Sequence, residues 1–141
     1  MKGRVLAEGS SEGVALVLRE PLSLWGGIDP ASGVIIDARH PQRGASTAGR
    51  VLVMPAARGS SSSSSVLAET MRAGCAPAAI LLGEADLILA VGAAVGQELY
   101  GRHVPIVVLP PTDLAGIADG ARVRVDGAEV TSSADERETS V

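Results

Sequence analysis

Arg50-Val51-Leu52-Val53-Met54-Pro55-Ala56-Ala57-Arg58-Gly59, six serines at 60–65, and Val66-Leu67-Ala68-Glu69-Thr70-Met71-Arg72-Ala73-Gly74 form one continuous stretch, and its reading decides the fold. The first part has the apolar pattern of a strand; the last has helical spacing and ends on a glycine stop. A serine run alone reads as flexible linker. This one lacks interspersed glycines, and its folded flanks leave almost no room for a spacer. The alternative is a strand–turn–helix unit in which Gly59 permits a tight turn while Ser60 and Ser61 present hydroxyls and N–H groups at the helix start. A helix start carries unpaired N–H groups and the positive end of the dipole, which stabilise an anion or an ionising hydroxyl. Arg58 beside the turn suits a bidentate clamp on a carboxylate or phosphate, or is simply a surface arginine.

The rest of the composition narrows the possibilities. At 141 residues the chain reads as one domain with a real core. With no Phe, one Trp and one Tyr, that core is filled by Val, Ile, Leu and Ala, which favours a β-rich or α/β interior. The lack of aromatic faces argues against single-stranded nucleic acid, and a net charge of −4 without a basic cluster argues against a phosphate-backbone partner. Cys75 stands alone, so this sequence offers neither a disulfide nor a set of zinc or iron–sulfur ligands. The start, Met1-Lys2-Gly3-Arg4, leads into a strand pattern rather than the apolar core of a signal peptide. The apolar region 76–95 is broken by Pro77, Glu84 and Asp86 and does not read as membrane-spanning. The expectation is a soluble cytoplasmic protein.

Outward from the serine run, residues 4–7 and 13–18 are strand candidates joined by Gly9-Ser10-Ser11-Glu12, a hairpin pattern. Residues 34–37 form another strand candidate, followed by an irregular connection at 41–48. Residues 78–82 are a continuous apolar run, the mark of a strand covered on both faces. A helix is expected over 87–100, a buried strand over 104–109, a short helix capped by Thr112 over 112–117, and an alternating strand over 122–126. From Thr131 the chain turns polar, so the domain is expected to span 1–130 with a disordered tail at 131–141. Strands first and β–α–β afterwards imply a mixed sheet with flanking helices, an α/β or β/β/α domain.

Other candidates carry less. Trp25-Gly26-Gly27-Ile28-Asp29-Pro30-Ala31-Ser32-Gly33 contains ordinary turn formers, or forms a loop covering a ligand or a partner. His40 and His103 lack a nearby carboxylate or cysteine pattern and read as structural or exposed. Neither a G-x-S-x-G elbow nor a Walker lysine pattern is present. Gly92-x-x-x-Gly96 suits close helix packing, and Cys75 reads as a small buried residue.

Taken in order, several of these segments resemble the swivel domain, or small subunit, of the aconitase X group. They are Glu20-Pro21-Leu22-Ser23, Trp25-Gly26-Gly27-Ile28-Asp29-Pro30-x-x-Gly33, His40-Pro41, Ala48-Gly49-Arg50-Val51-Leu52-Val53, Arg58-Gly59-Ser60-Ser61 and Ala76-Pro77-Ala78-Ala79-Ile80. The resemblance implies a swivelling β/β/α domain that closes over a larger catalytic part. That part, the aconitase X large subunit, would carry an iron–sulfur cluster through its own cysteines, since this chain binds none.

In aconitases a G-x-G-S-S-R turn of the swivel domain supplies a serine base and substrate contacts. Matched to this sequence, Ser60 is the first serine and the implied base, Ser61 the second, while Ser62 stands at the arginine position and Ala57 at the first glycine. Arg58, Gly59, Ser61 and Ser62 are the implied substrate contacts, and loss of the arginine suggests a different contact for the acid group. The implied reaction is dehydration of a hydroxy acid: a base takes the proton next to a carboxylate, and hydroxide leaves with Lewis-acid help. Within the group, bacterial members act on cis-3-hydroxy-L-proline and archaeal ones on phosphomevalonate. The serine run and Glu98-Leu99-Tyr100-Gly101 look more like the bacterial type. Two other classes remain: a non-enzymatic anion-binding module, and a phosphohistidine carrier domain, which needs a histidine in the glycine-rich turn that this sequence lacks.

Overall fold

Three short runs of consecutive apolar residues build the centre of the molecule, because a strand buried on both faces has no use for alternation. In the computed structural model, which describes residues 1–57 and 60–133, the chain runs through β1 (Arg4–Ala7), β2 (Ser10–Val17), a kinked helical turn α1 (Leu24–Gly27), β3 (Val51–Met54), α2 (Ser63–Ala73), β4 (Ala79–Leu82), α3 (Leu87–Tyr100), β5 (Ile106–Val108), α4 (Pro111–Ala115), β6 (Arg122–Asp126) and β7 (Glu129–Ser132). The strands form one sheet in the order β1-β5-β4-β3-β2-β6-β7. Its middle, β2 to β5, is parallel, with Val51 paired to Ala15 on one side and Ala79 on the other. Antiparallel strands close both ends.

Alternate side chains sort onto two cores. Leu52, Met54, Ile80 and Leu82 pack with Leu67 and Met71 of α2 and Leu89 and Ala93 of α3. Val51, Val53, Ala79 and Leu81 face the opposite way and meet Leu114, Ile117, Val123, Val125 and Val130, so the sheet curls until β6 and β7 cover its second face. This is the expected α/β arrangement of a mixed sheet with flanking helices. Gly74 ends α2 as expected, in the left-handed region at φ 79°, and returns N–H groups to the last turn. Among the described residues no helix is long and apolar enough to cross a membrane.

Several local expectations are corrected. The hairpin between residues 4–7 and 13–18 does not form. Both edges of β2 are taken by β3 and β6, so β1 pairs instead with the outer edge of β5. Residues 34–37 make only isolated bridges, Ile28 to Ile35 and Val34 to Ser46. Ile35 is apolar because it plugs the helical-side core, not because it joins the sheet. The strand expected over 104–109 is confined to β5. Helix α4 starts at Pro111 with Pro110 at its cap, so Thr112 lies within the first turn and caps nothing. The tail expected from Thr131 is also wrong at its start. Thr131 pairs with Arg124 and Ser132 with Val123, while residues 134–141 lie outside the described residues.

Candidate active site

β3 delivers the chain to the carboxyl edge of the parallel block, where the Pro55 carbonyl accepts the Gly83 N–H at 2.9 Å and ties the exits of β3 and β4 together. Arg58 and Gly59, implied substrate contacts, lie outside the described residues. Ser60, Ser61 and Ser62 follow as a tight turn that winds directly into α2. Ser63 N–H donates to the Ser60 carbonyl at 2.9 Å, Ser64 N–H to the Ser61 carbonyl at 3.4 Å, and the Ser64 hydroxyl to that same carbonyl at 2.8 Å. The run is therefore structured, not a linker. Ser60 and Ser62 are half-buried and Ser61 is exposed.

The Ser62 backbone N–H donates to Ser60 Oγ at 3.3 Å. The Ser60 oxygen is the acceptor in this contact, the role an alkoxide would take. The positive end of α2 stands one turn further on. A helix dipole stabilises a nearby anion by at most about 2 kcal/mol in partly buried geometries. At about 1.4 kcal/mol per pKa unit, that lowers a hydroxyl by less than two units. The turn therefore pre-organises Ser60 but does not ionise it in water. Ionisation needs the site covered, so that the same dipoles act without competing solvent.

Ser63 has a different task from its neighbours. It is 3% exposed, and its Oγ accepts the Trp25 backbone N–H at 3.3 Å. Within α1 the backbone kinks at Trp25 and at Gly26, whose φ of 74° suits glycine. Leu24 is thereby sunk into the core while Trp25 is left 60% exposed beside the start of α2. The glycine-rich segment is thus docked on the serine turn, a link that its sequence alone did not reveal. The same carboxyl edge also opens a cavity of about 370 Å³ among Val17, Leu18, Val53, Pro55 and Leu114. Parallel sheets place ligands at this edge.

The remaining candidates are structural. His40 is buried, with Nδ1 accepting the Gln42 N–H and Nε2 facing the Glu20 carbonyl, each at 3.1 Å. His103 is exposed. The buried Cys75 thiol donates to the Pro30 carbonyl at 3.3 Å, and burial, helped by the charge of Asp29, pushes its pKa up. No group of three or more His, Cys, Asp or Glu side chains that could hold a metal occurs among the described residues. With Cys75 as the one cysteine of the sequence, this chain cannot itself supply the cysteine set of an iron–sulfur cluster.

A curled mixed sheet whose parallel strand delivers a serine turn to the start of a helix defines the chain as a swivelling β/β/α domain. Residues 1–133 match the model of the aconitase X swivel domain, and the chain belongs to that family. A cis-3-hydroxy-L-proline dehydratase of Pseudomonas aeruginosa is 51% identical over 106 residues, 75% of this chain and 18% of its own length. A protein of the same name from Hypocrea jecorina is 35% identical over 93% of this chain and 22% of its own. The chain thus spans about a fifth of the length of those two relatives. A phosphomevalonate dehydratase small subunit from Thermococcus kodakarensis is 39% identical over 89% of each chain. The crystal structure of aconitase X in holo-form from the same organism superposes with a TM-score of 0.82 at 38% identity, covering 93% of this chain and 95% of the other.

Proposed function

We propose that this chain is the small, swivel subunit of a two-subunit aconitase X-type hydro-lyase, inactive alone, with Ser60 as the base that takes the substrate's proton. The observation that carries the reading is the half-buried Ser60 hydroxyl, held by the Ser62 N–H at 3.3 Å ahead of α2 in a chain of this family. In this reading Arg58, Gly59, Ser61 and Ser62 hold the substrate, a small hydroxy acid. The large subunit carries the iron–sulfur cluster, which would supply the Lewis acid for the departing hydroxide. What this chain contributes is a positioned proton acceptor and one wall of a closed, dry site.

Two observations bear differently on the substrate. The 51% identity with the Pseudomonas aeruginosa protein favours cis-3-hydroxy-L-proline. The relatives that share this chain's length are named phosphomevalonate dehydratase small subunits, which supports the two-chain arrangement and makes phosphomevalonate the second reading. Co-expression with the large subunit, followed by assay on both compounds, tests the assignment. Water loss from cis-3-hydroxy-L-proline by the pair and by neither chain alone is the expected result. Full activity in Ser60→Ala removes the base assignment. Binding of anions without turnover by the assembled pair leaves only a non-enzymatic module.

A further inference from the structure

Helix α3 turns a row of large apolar residues to solvent. Its small residues Gly92, Ala93 and Gly96 are buried against α2, where a Cβ on Gly92 would stand 2.7 Å from the Ser64 carbonyl oxygen. Leu89 packs into the core, but four other large apolar residues point out: Leu87 is 70% exposed, Val91 55%, Val95 41% and Leu99 64%. They recur every four residues, so they form a single line roughly 18 Å long at a rise of about 1.5 Å per residue. Glu98 is the one charged residue in the helix. A solvent face is ordinarily the polar side of an amphipathic helix, and a continuous apolar line there marks a surface meant for a partner.

The line starts at the serine turn. Ser61 and Ser64 share a groove of about 270 Å³ with Leu87, Ile88 and Val91. The exposed Trp25 is tied to the same turn by its backbone N–H on Ser63 Oγ. Exposed apolar residues of both α1 and α3 thus adjoin the serine turn. A body that covers the serine turn from the side of this groove, over Ser61 and Ser64, lands on Leu87 and Val91.

From this we infer that the apolar line of α3, entered at Leu87 and Val91, is the docking surface for the large catalytic subunit. The inference rests on the function proposed above and adds the place of contact to it. A second copy of this chain suits the surface less well, because self-pairing across Leu87 and Val91 would keep the large subunit away from the serine turn that the proposed function has it cover. The contact is graded: the end at the turn is held most firmly, and Leu99, three turns away, contributes less.

The test uses the full chain and its separately purified large subunit, with affinity measured by calorimetric titration. Leu87→Lys and Val91→Lys are expected to weaken binding about thirty-fold or more, the size of an interface hot spot, and Leu99→Lys by less. Hydroxyl-radical footprinting of the wild-type chain reads the same surface without mutation; Leu87 and Val91 should lose reactivity on adding the large subunit. Wild-type affinity in both lysine variants, with Leu87 unprotected, overturns the inference while leaving the function intact. A wild-type chain that does not bind the large subunit at all overturns the function beneath it. A chain that is dimeric alone, and that Leu87→Lys makes monomeric, assigns the surface to a second copy instead.

Discussion

Gly92 of α3 lies so close to Ser64 of α2 that a Cβ at position 92 would stand 2.7 Å from the Ser64 carbonyl oxygen and 3.0 Å from its Cα. Both obstructing atoms are backbone, so neither swings aside. Gly92→Ala therefore has to separate the helices, at an overpacking cost of about 1–3 kcal/mol that outweighs the gain of up to about 1 kcal/mol in helix propensity. At Gly96 the obstruction is the flexible Met71 side chain. Gly96→Ala should accordingly cost less than Gly92→Ala, because a methionine side chain can repack where backbone cannot. Urea denaturation of both variants checks the contrast; equal destabilisation would show that the α2–α3 spacing is not set at Gly92.

His40 holds the approach to the Trp25 turn. The Gln42 N–H must be the donor to Nδ1, so Nε2 carries the ring proton and donates it to the Glu20 carbonyl. The ring thus joins two segments of a long irregular connection around a buried position. His40→Ala leaves one backbone donor and one carbonyl without their partner, and a loss of about 2–3 kcal/mol is expected. The denaturation midpoint checks this, and faster amide exchange at Gln42 would show that the loss is local.

Sequence reading succeeded where a strand's own residues dictate its surroundings. Residues 51–54 and 79–82 are apolar at every position because they are covered on both faces, and α2 and α3 carry helical spacing with glycine stops. It failed where pairing depends on distant partners. Nothing local to residues 4–17 says that β1 pairs with β5 or β2 with β6, about a hundred residues away, so a glycine turn between them imitated a hairpin. β7 was lost because only Val130 among Glu129, Val130, Thr131 and Ser132 is apolar, the others being acceptable at the edge of a sheet. At the site, the position of the serine turn was legible from its flanks. The docking of Trp25 on Ser63 was not, since a backbone-to-hydroxyl bond across 38 residues leaves no compositional trace.

Cys75 gives a pH dependence of definite sign. Burial raises its pKa, with the negative charge of Asp29 adding to the effect. Above about pH 8.5 the unfolded chain's thiol releases its proton first, so the folded state binds more protons and stability declines as pH rises. Below that range both states are protonated and the group contributes no slope. The stability advantage of the wild type over Cys75→Ala should therefore be constant from pH 6 to about 8 and shrink above it. Alkylation of the folded chain near neutral pH should be slow compared with the denatured chain. Rapid alkylation near neutral pH would count against the raised pKa.

Within one serine run, two alanine substitutions should leave opposite signatures. Ser63 is almost wholly buried, and its oxygen is the acceptor that fastens the Trp25 N–H. Ser63→Ala strands that donor at the start of α2 and is expected to cost about 1–2 kcal/mol. Because Trp25 is the sole tryptophan, its fluorescence anisotropy reports directly on the loosened turn. Ser60 is half-buried, and the backbone N–H it accepts is long, at 3.3 Å, and at the start of a helix where water can replace it. Ser60→Ala should therefore leave the denaturation midpoint within about 0.5 kcal/mol of wild type. In the assembled enzyme the same variant should lower kcat by about 10²–10⁴, the usual share of a positioned base. With Ser60 as the proposed base, the lost group acts in proton transfer, and KM should change far less than kcat. Equal losses of stability and rate in both variants would mean that the run serves only to start α2, and that the base lies elsewhere.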